Sequence, residues 1–437
     1  MDLNATPVLA SLYDDAKTHL PLWDKDVDVA LNTPRLKYSA VRARFPDAPA
    51  NAIAMWIADM NIPPPSAVKD ALKKNINEEY GYQECSISEA VCEWHSQHVL
   101  DIASESSLLP EHIVDVASVI SFIDLALQTF CCEGDKVMFL SPTYEPLRNA
   151  ISLNKLMPIP VPLSNEAEQS TGNKSNTSLE TINTELLDSS AKAFVLCHPN
   201  NPTGTVLSSE NQAELIAFCE LNDILLIVDE VHGDFGFLPY VQPSGIPLFG
   251  AARGMLCSPN VIHVGSASKT FNLASVPGAS YAIIPDKVRR ETIKRNLNAK
   301  HLYASNLSKV ALNAAYKLGE KWLEKVRAAI AFNRYLVDTF FSYHKLEWDY
   351  TMGAAGYFLW ISLTSKREKL RPQGGLDSNG IEYDCATLND CIKSGVIGSD
   401  GVAFGKPGYI RLNLACHPEI IELALNRLCF LDSNHSK

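Results

Sequence analysis

Several features that would direct a chain to a membrane, a nucleic acid or a metal are missing here. No apolar run in the 437 residues approaches the roughly 20 of a spanning helix. The opening residues Met1-Asp2-Leu3-Asn4 lack the basic region and apolar stretch of a secretory leader. Basic charge is short as well, with 38 Lys and Arg against 50 Asp and Glu and a net charge of −12, which disfavours a surface built to neutralise nucleic-acid phosphates or anionic lipid. There is no Cys-x-x-Cys pair and no His cluster at zinc spacing, so no metal site is expected. The 11 cysteines are scattered over the whole length, with Cys131-Cys132 in an apolar run, and read as reduced core thiols of a cytoplasmic protein.

What is present is an ordinary globular composition, 46% apolar and 20% charged. Amphipathic stretches alternate with short apolar runs. Helical patterns follow Ser66 through Ile76 and recur at Ile87 to Leu100, Ile120 to Phe130, Gln212 to Leu221 and, as one long element, Ser308 to Tyr343. The intervening runs are Lys136 to Leu140, Ala193 to Cys197, Ile224 to Val228, Val261 to Val264 and Tyr281 to Ile284. Such alternation predicts an α/β fold with a mainly parallel sheet flanked by helices, and ligand sites at the carboxyl ends of its strands. Tyr357 to Ile361, Tyr409 to Leu414 and a helix from Pro418 predict a smaller α+β domain. Ser164 to Thr177 and Lys366 to Asn379 read as polar loops, and the first 50 residues as an arm with a short helix.

Three strand ends carry reactive groups. Ser266-Ala267-Ser268-Lys269 follows the run Val261 to Val264, and a partly buried lysine there is a nucleophile and proton carrier flanked by two hydroxyl donors suited to a phosphate. Asp229-Glu230-Val231-His232 ends the run before it, placing a carboxylate where burial demands a cation. His198-Pro199-Asn200-Asn201-Pro202-Thr203-Gly204 forms a turn after Ala193 to Cys197. Each motif alone has a bland explanation, such as a cap or a surface turn, but the ordered set is hard to obtain by accident.

In that order the motifs resemble those of the fold-type I enzymes dependent on pyridoxal 5′-phosphate, within the class I/II aminotransferase superfamily, over nearly the whole chain. The resemblance implies a division into 1–65, an N-terminal arm with part of the small domain; 66–305, the large cofactor-binding domain; and 306–437, a long connecting helix with the C-terminal small domain. It also implies that Lys269 is the catalytic lysine that holds the cofactor, Asp229 the partner of its ring nitrogen and Asn201 a donor to its 3′-oxygen. Tyr144, in Pro142-Thr143-Tyr144, matches the stacking aromatic; Ser118 and Val119 match phosphate-binding amides at a helix start, with Ser266 and Ser268 as hydroxyl donors and His232 also against the cofactor. Arg411, in Ile410-Arg411-Leu412-Asn413, matches the grip on the substrate carboxylate. Tyr82, in Tyr80-Gly81-Tyr82, resembles the tyrosine that reaches the neighbouring subunit's phosphate, which implies a homodimer with shared active sites.

Within the superfamily, Trp56-Ile57-Ala58-Asp59-Met60 resembles an element of the MalY/PatB-like cystathionine β-lyase group and gives Asp59 to the substrate. His232 where aminotransferases have Tyr, and Gly278-Ala279-Ser280 where they have Gly-x-Arg, point the same way. The resemblance implies a carbon-sulfur β-lyase acting on an S-substituted L-cysteine, with an aminotransferase as the alternative and an inactive scaffold disfavoured by the retained site residues. Asn61-Ile62 and His198-Pro199-Asn200 depart from the group's pattern, which turns the expectation towards bulkier cysteine S-conjugates than cystathionine.

Overall fold

Residues 35–433 are described in a computed structural model of the protein, apart from 79–80, 82, 98–107, 164–181, 238–257, 345–348, 363–373, 377–381 and 385. In chain order the first half contains β1 (Ile53–Ala54), α1 (Ser66–Ile76), α2 (Ser88–Gln97), β2 (Ile113–Val116), α3 (Val119–Phe130), β3 (Lys136–Ser141), α4 (Glu145–Leu153), β4 (Met157–Pro162), β5 (Ala193–Cys197), α5 (Ser209–Leu221) and β6 (Leu225–Asp229). The second half contains β7 (Val261–Ser266), α6 (Ala267–Thr270), β8 (Ser280–Ile283), α7 (Lys287–Lys300), α8 (Asn306–Leu318), α9 (Glu320–His344), β9 (Asp349–Thr351), β10 (Phe358–Ser362), β11 (Gly374–Leu376), β12 (Glu382–Asp384), α10 (Ala386–Ser394), β13 (Val396–Ile397), β14 (Ser399–Asp400), β15 (Tyr409–Asn413) and α11 (Pro418–Ser433).

The large sheet has seven strands in the order β2-β8-β7-β6-β5-β3-β4. Strands β3 to β7 run parallel, in register Val137↔Ala193, Ala193↔Leu225 and Leu226↔Val261. Strand β8 is antiparallel to both β7 and β2. β5 and β6 are buried at every position, as continuous apolar strands covered on both faces must be. On one face α3 lays down Phe122, Ile123 and Leu127 against Val137, Val195 and Val264, each buried side chain contributing roughly 1.5–3 kcal/mol. Helix starts are written in the sequence: Ser118, Ser208, Asp286 and Ser305 each accept a first-turn backbone N–H.

Three expectations need correction. The pattern from Ser308 to Tyr343 is two helices, because Gly319 ends α8 in a spot where any Cβ would lie 2.3 Å from the Ala315 carbonyl and 2.4 Å from the Phe271 ring. The presumed loop Lys366 to Asn379 contains β11, paired antiparallel with β12. Cys132 is exposed and Cys131 half-buried at the end of α3, so this pair is not core, although all nine described cysteines are free thiols.

The smaller sheet is antiparallel, in the order β14-β15-β10-β9, and packs beneath α9 and α11 through Leu336, Phe340, Leu359, Leu412, Ile421 and Leu425. β1, far away in sequence, pairs with β13 in register Ile53↔Val396. That pairing sets residues 55–62 against β15, beside the carboxyl ends of the large sheet. No described helix is long and apolar enough to cross a membrane.

Candidate active site

The parallel strands β3, β5, β6 and β7 deliver Tyr144, Asn201, Asp229 and Lys269 to one edge of the sheet. β7 runs to Ser266, whose hydroxyl caps the single turn α6 by accepting the Ser268 N–H at 3.0 Å. Lys269 projects from that turn and its Nζ donates to the Ala58 carbonyl at 3.0 Å. Burial pushes the Lys269 amine below the usual lysine range, and the Arg411 charge pushes it further down while Asp59 and Asp229 pull it up.

Asp229 is buried at the end of β6 and its Oδ1 accepts the Val231 N–H at 3.2 Å. Burial raises its carboxyl to about 6, against the pull of His263 and Lys269. A carboxylate so poorly satisfied gains from a nearby cation. Three residues on, His232 is buried edge-on to the Phe358 ring, with centroids 5.1 Å apart, and its Nδ1 has no partner. Burial and the charges of Lys269 and Arg411 hold its imidazole down at about 3, so it is neutral at physiological pH.

The adjacent asparagines of the β5 turn divide their labour. Asn200 ties the turn together, accepting from Thr203 Oγ1 at 2.9 Å and donating to the Pro142 carbonyl at 3.2 Å. Asn201 turns its Oδ1 outward to accept from Arg411 Nη1 at 2.8 Å. Gly204 closes the turn at φ +73°, and a Cβ there would meet the Met352 carbonyl at 2.3 Å, so only glycine fits.

Arg411 comes from the opposite side, on β15. It is 4% exposed, stacks over Phe358 at 4.4 Å and Phe404 at 5.0 Å, and donates from Nη2 to the Trp56 carbonyl at 2.8 Å and to Ser399 Oγ at 3.1 Å. Its Nε has no partner, and no carboxylate among the described residues lies within ion-pair distance. Burial lowers it to about 10. A buried guanidinium whose bonds all go to neutral oxygens is a receptor for an anion.

The remaining expected residues sit as follows. Ser118 caps α3, and the first amides of that helix, starting at Val119, face the same edge of the sheet. Tyr144 precedes α4 with its ring partly exposed, and burial raises its phenol against the opposing charge of Arg411. Ser266 is turned inward, 2.8 Å from the Ala279 carbonyl and 2.9 Å from Ser280 Oγ. Its hydroxyl is therefore committed to the fold, leaving Ser268, half-buried, as the serine of this turn able to meet a phosphate. The Asp59 carboxylate is paired with Arg35 at 3.0 Å. Tyr82 lies outside the described residues.

Sequence reasoning missed Ser399, Phe358 and Phe404 around Arg411, and Asn413, whose Nδ2 donates to the Ile57 and Asp59 carbonyls, each at 2.8 Å. A usable signal existed for Asn413: it stands two residues from Arg411 and so on the same face of β15.

The donor set fits pyridoxal phosphate. A buried carboxylate with no cation bonded to it suits a protonated ring nitrogen, a free amine suits an aldehyde carbon, and a helix start with a serine suits a phosphate. Among the described residues no group of His, Cys, Asp and Glu is arranged to hold a metal ion.

Comparison with known proteins agrees. The family model for aminotransferase class I and II matches residues 58–428. The cystathionine beta-lyase PatB of Bacillus subtilis is 27% identical over 388 residues, 86% of this chain and 92% of its own length. Protein MalY of Escherichia coli is 26% identical over 378 residues, 84% of this chain and 88% of its own. Among solved structures, a pyridoxal-phosphate-bound C-S lyase from Staphylococcus hominis superposes with a TM-score of 0.74 at 23% identity, covering 93% of this chain and 98% of that one. The architecture is that of the fold-type I enzymes.

Proposed function

We propose, for a chain that belongs to the aminotransferase class I and II family, the activity of a pyridoxal-phosphate-dependent carbon-sulfur β-lyase that converts an S-substituted L-cysteine to a thiol, pyruvate and ammonia. The observation that carries the reading is Arg411, buried and bound only to neutral oxygens, in the same site as the depressed amine of Lys269 and the buried carboxylate of Asp229, raised to about 6. The relative named cystathionine beta-lyase PatB favours a lyase within the family. The departures at Asn61-Ile62 and His198 serve the fold, with Asn61 bonded to Lys37 and Tyr38, Ile62 in the core and His198 Nε2 accepting the Leu207 N–H at 3.1 Å, and they do not argue for a bulkier S-substituent.

In this reading Lys269 is the covalent anchor, Asp229 holds the ring nitrogen protonated, Tyr144 lies against the ring, Asn201 and His232 face its polar edge, and Ser118, the Val119 amide and Ser268 take the phosphate. Bound there, pyridoxal phosphate supplies an electron sink for the pair left when a proton leaves the substrate α-carbon. Arg411 grips the α-carboxylate with two parallel donors and so fixes which α-bond faces Lys269. Lys269, its affinity for protons lowered by burial and by Arg411, accepts the α-proton as a neutral amine and becomes ammonium. The β-carbon–sulfur bond breaks with its electron pair going to sulfur, and the thiolate leaves as the α–β double bond forms. The released enamine takes up water to give pyruvate and ammonia. Asp229 stays ionised throughout because its counter-cation is present.

The working unit is a homodimer with shared sites. An apolar groove of Leu72, Ile76, Val276, Pro277 and Tyr303 adjoins Ala117, next to the phosphate-binding start of α3, and supports this assignment.

The test is a product assay of the cofactor-loaded protein with cysteine S-conjugates and no oxo acid. Thiol, pyruvate and ammonia in equal amounts are expected. Product that forms only after a 2-oxo acid is added, with a new amino acid appearing, would replace the lyase by an aminotransferase using the same residues.

A further inference from the structure

In residues 56–60, a segment bent at Ile57 and Ala58, every carbonyl is taken by a side chain from elsewhere, and the Ile57 carbonyl also accepts the Asp59 N–H at 2.9 Å. Trp56 O accepts from Arg411 Nη2 at 2.8 Å and Ser399 Oγ at 2.6 Å. Ile57 O accepts from Asn413 Nδ2 at 2.8 Å, and Ala58 O from Lys269 Nζ at 3.0 Å. Asp59 O accepts from Asn413 Nδ2 and Lys37 Nζ, both at 2.8 Å. Met60 O accepts from Asn272 Nδ2 at 3.0 Å and from Arg35 Nη1. Backbone carbonyls outside a helix are ordinarily satisfied by a neighbouring strand or by water. Here a row of buried and half-buried side-chain donors takes that place.

One member of the row is different in kind. Asn272, Asn413 and Lys37 have no other duty in the proposed chemistry, whereas Lys269 must change place during turnover. Asn413 brackets it: one amide holds the carbonyls on either side of Ala58, and its own Oδ1 is fixed by the Ala415 N–H at 2.7 Å. Lys37 is 1% exposed and its Nζ ends on Asp59 O and Asn61 Oδ1, anchoring the same stretch from the other side. The Ala58 carbonyl is thus aimed at the free amine by residues that never touch it.

We infer that Asn413 and Lys37 are positioning residues that hold the Ala58 carbonyl as the resting acceptor for the Lys269 amine whenever that amine is not bonded to the cofactor. The inference rests on the assignment of Lys269 as the cofactor lysine. Its consequence is a bias in an exchange. An amino acid that takes over the bond to the cofactor sets Lys269 free, and the freed amine gains a hydrogen bond at Ala58. Loosening the carbonyl removes that gain and favours the state in which Lys269 keeps its bond. A ligand that binds Arg411 without displacing Lys269 is indifferent.

The test uses the cofactor-loaded protein and two probes of matched size: L-alanine, which displaces the lysine but has no leaving group on its β-carbon, and propionate, which has the carboxylate and no amine. Dissociation constants are read from visible absorbance for alanine and from its competition by propionate. In Asn413→Ala the alanine constant rises by about five-fold, within the range of a neutral hydrogen bond, and the propionate constant stays within about two-fold. Lys37→Met, which leaves Asn413 in place, moves alanine in the same direction by about three-fold. Equal weakening of both probes would mean that Arg411 has been disturbed, and unchanged alanine binding would mean that the acceptor is idle; either overturns the inference. Loss of the visible band in both variants would assign the two residues to the fold and overturn it too. A wild-type protein that forms no visible band with pyridoxal phosphate would instead sink the functional reading.

Discussion

The two walls of the site are built on opposite principles. The wall from the large sheet presents Lys269, Asp229 and His232 buried and poorly satisfied: an amine pushed down, a carboxyl raised to about 6 and an imidazole lowered to about 3. The facing wall, β15 with β14 and residues 56–60, presents Arg411, Asn413 and Ser399 in a dense lattice of hydrogen bonds. Groups that must exchange protons are kept short of partners, because burial without a partner shifts a pKa. Groups that must hold position are tied by several bonds each, and Arg411 keeps its Nε open for the anion it receives. The first wall supplies reactivity and the second supplies geometry, and substitutions on the two should fail in different ways.

The largest effect belongs to Lys269. Lys269→Ala removes anchor and base together, and thiol release should fall by more than about 10⁴-fold; continuous assay with a thiol reagent checks it, and near-normal turnover would break the comparison at its centre. Asp229→Asn comes next, with kcat lower by about 10²–10³. The same substitution should stabilise the cofactor-free protein. A carboxyl raised in the fold from 3.8 to about 6 supports the folded state below pH 4 and loses that support as pH climbs through 6. Asp229→Asn therefore raises the melting temperature above pH 6, by the equivalent of about 2–3 kcal/mol, and leaves it unchanged below pH 4. Thermal melts at pH 4 and pH 7.5 decide this, and a loss of stability at pH 7.5 would show that Asp229 serves the fold.

On the geometric wall the loss should fall on KM. Arg411→Lys keeps the charge but not the two-pronged donor, and KM for the amino-acid substrate should rise about 10- to 100-fold while the visible spectrum of the bound cofactor is kept. Ser399→Ala removes one of three bonds that hold the guanidinium, for a rise in KM of about two- to ten-fold. If Ser399→Ala instead lowered kcat at constant KM, the division of labour between the walls would be wrong.

The two walls were also unequally legible in the sequence. Lys269, Asp229 and Asn201 stand at the ends of apolar runs that became β7, β6 and β5, so strand order and short motifs placed them together before any coordinates. The geometric wall is assembled from residues 35–61, 399–404 and 411–413, brought together by β1 pairing with β13. Nothing local in Ser399 announces Trp56, 343 residues away, or in Lys37 the Asp59 carbonyl 22 residues on. Arg411 stood out because an arginine in an apolar strand is costly, whereas Asn413 beside it was not weighed. Strand β4 escaped notice for a different reason: Pro158, Pro160 and Pro162 speak against a strand, yet on an edge their missing N–H groups face away from β3, its one partner in the sheet. Periodicity joined α8 to α9 because Gly319 interrupts the helix without interrupting the apolar stripe. Tyr82 and the loop Ser164 to Thr177 lie outside the described residues.

The central claim is that the reactive wall holds pyridoxal phosphate through Lys269. Purified protein incubated with the cofactor, reduced with borohydride, digested and mapped by mass spectrometry tests it most directly. The account predicts a visible absorption band before reduction and one stable adduct, on Lys269, absent from Lys269→Ala. No band, or adducts spread over surface lysines with Lys269 unmodified, would contradict it.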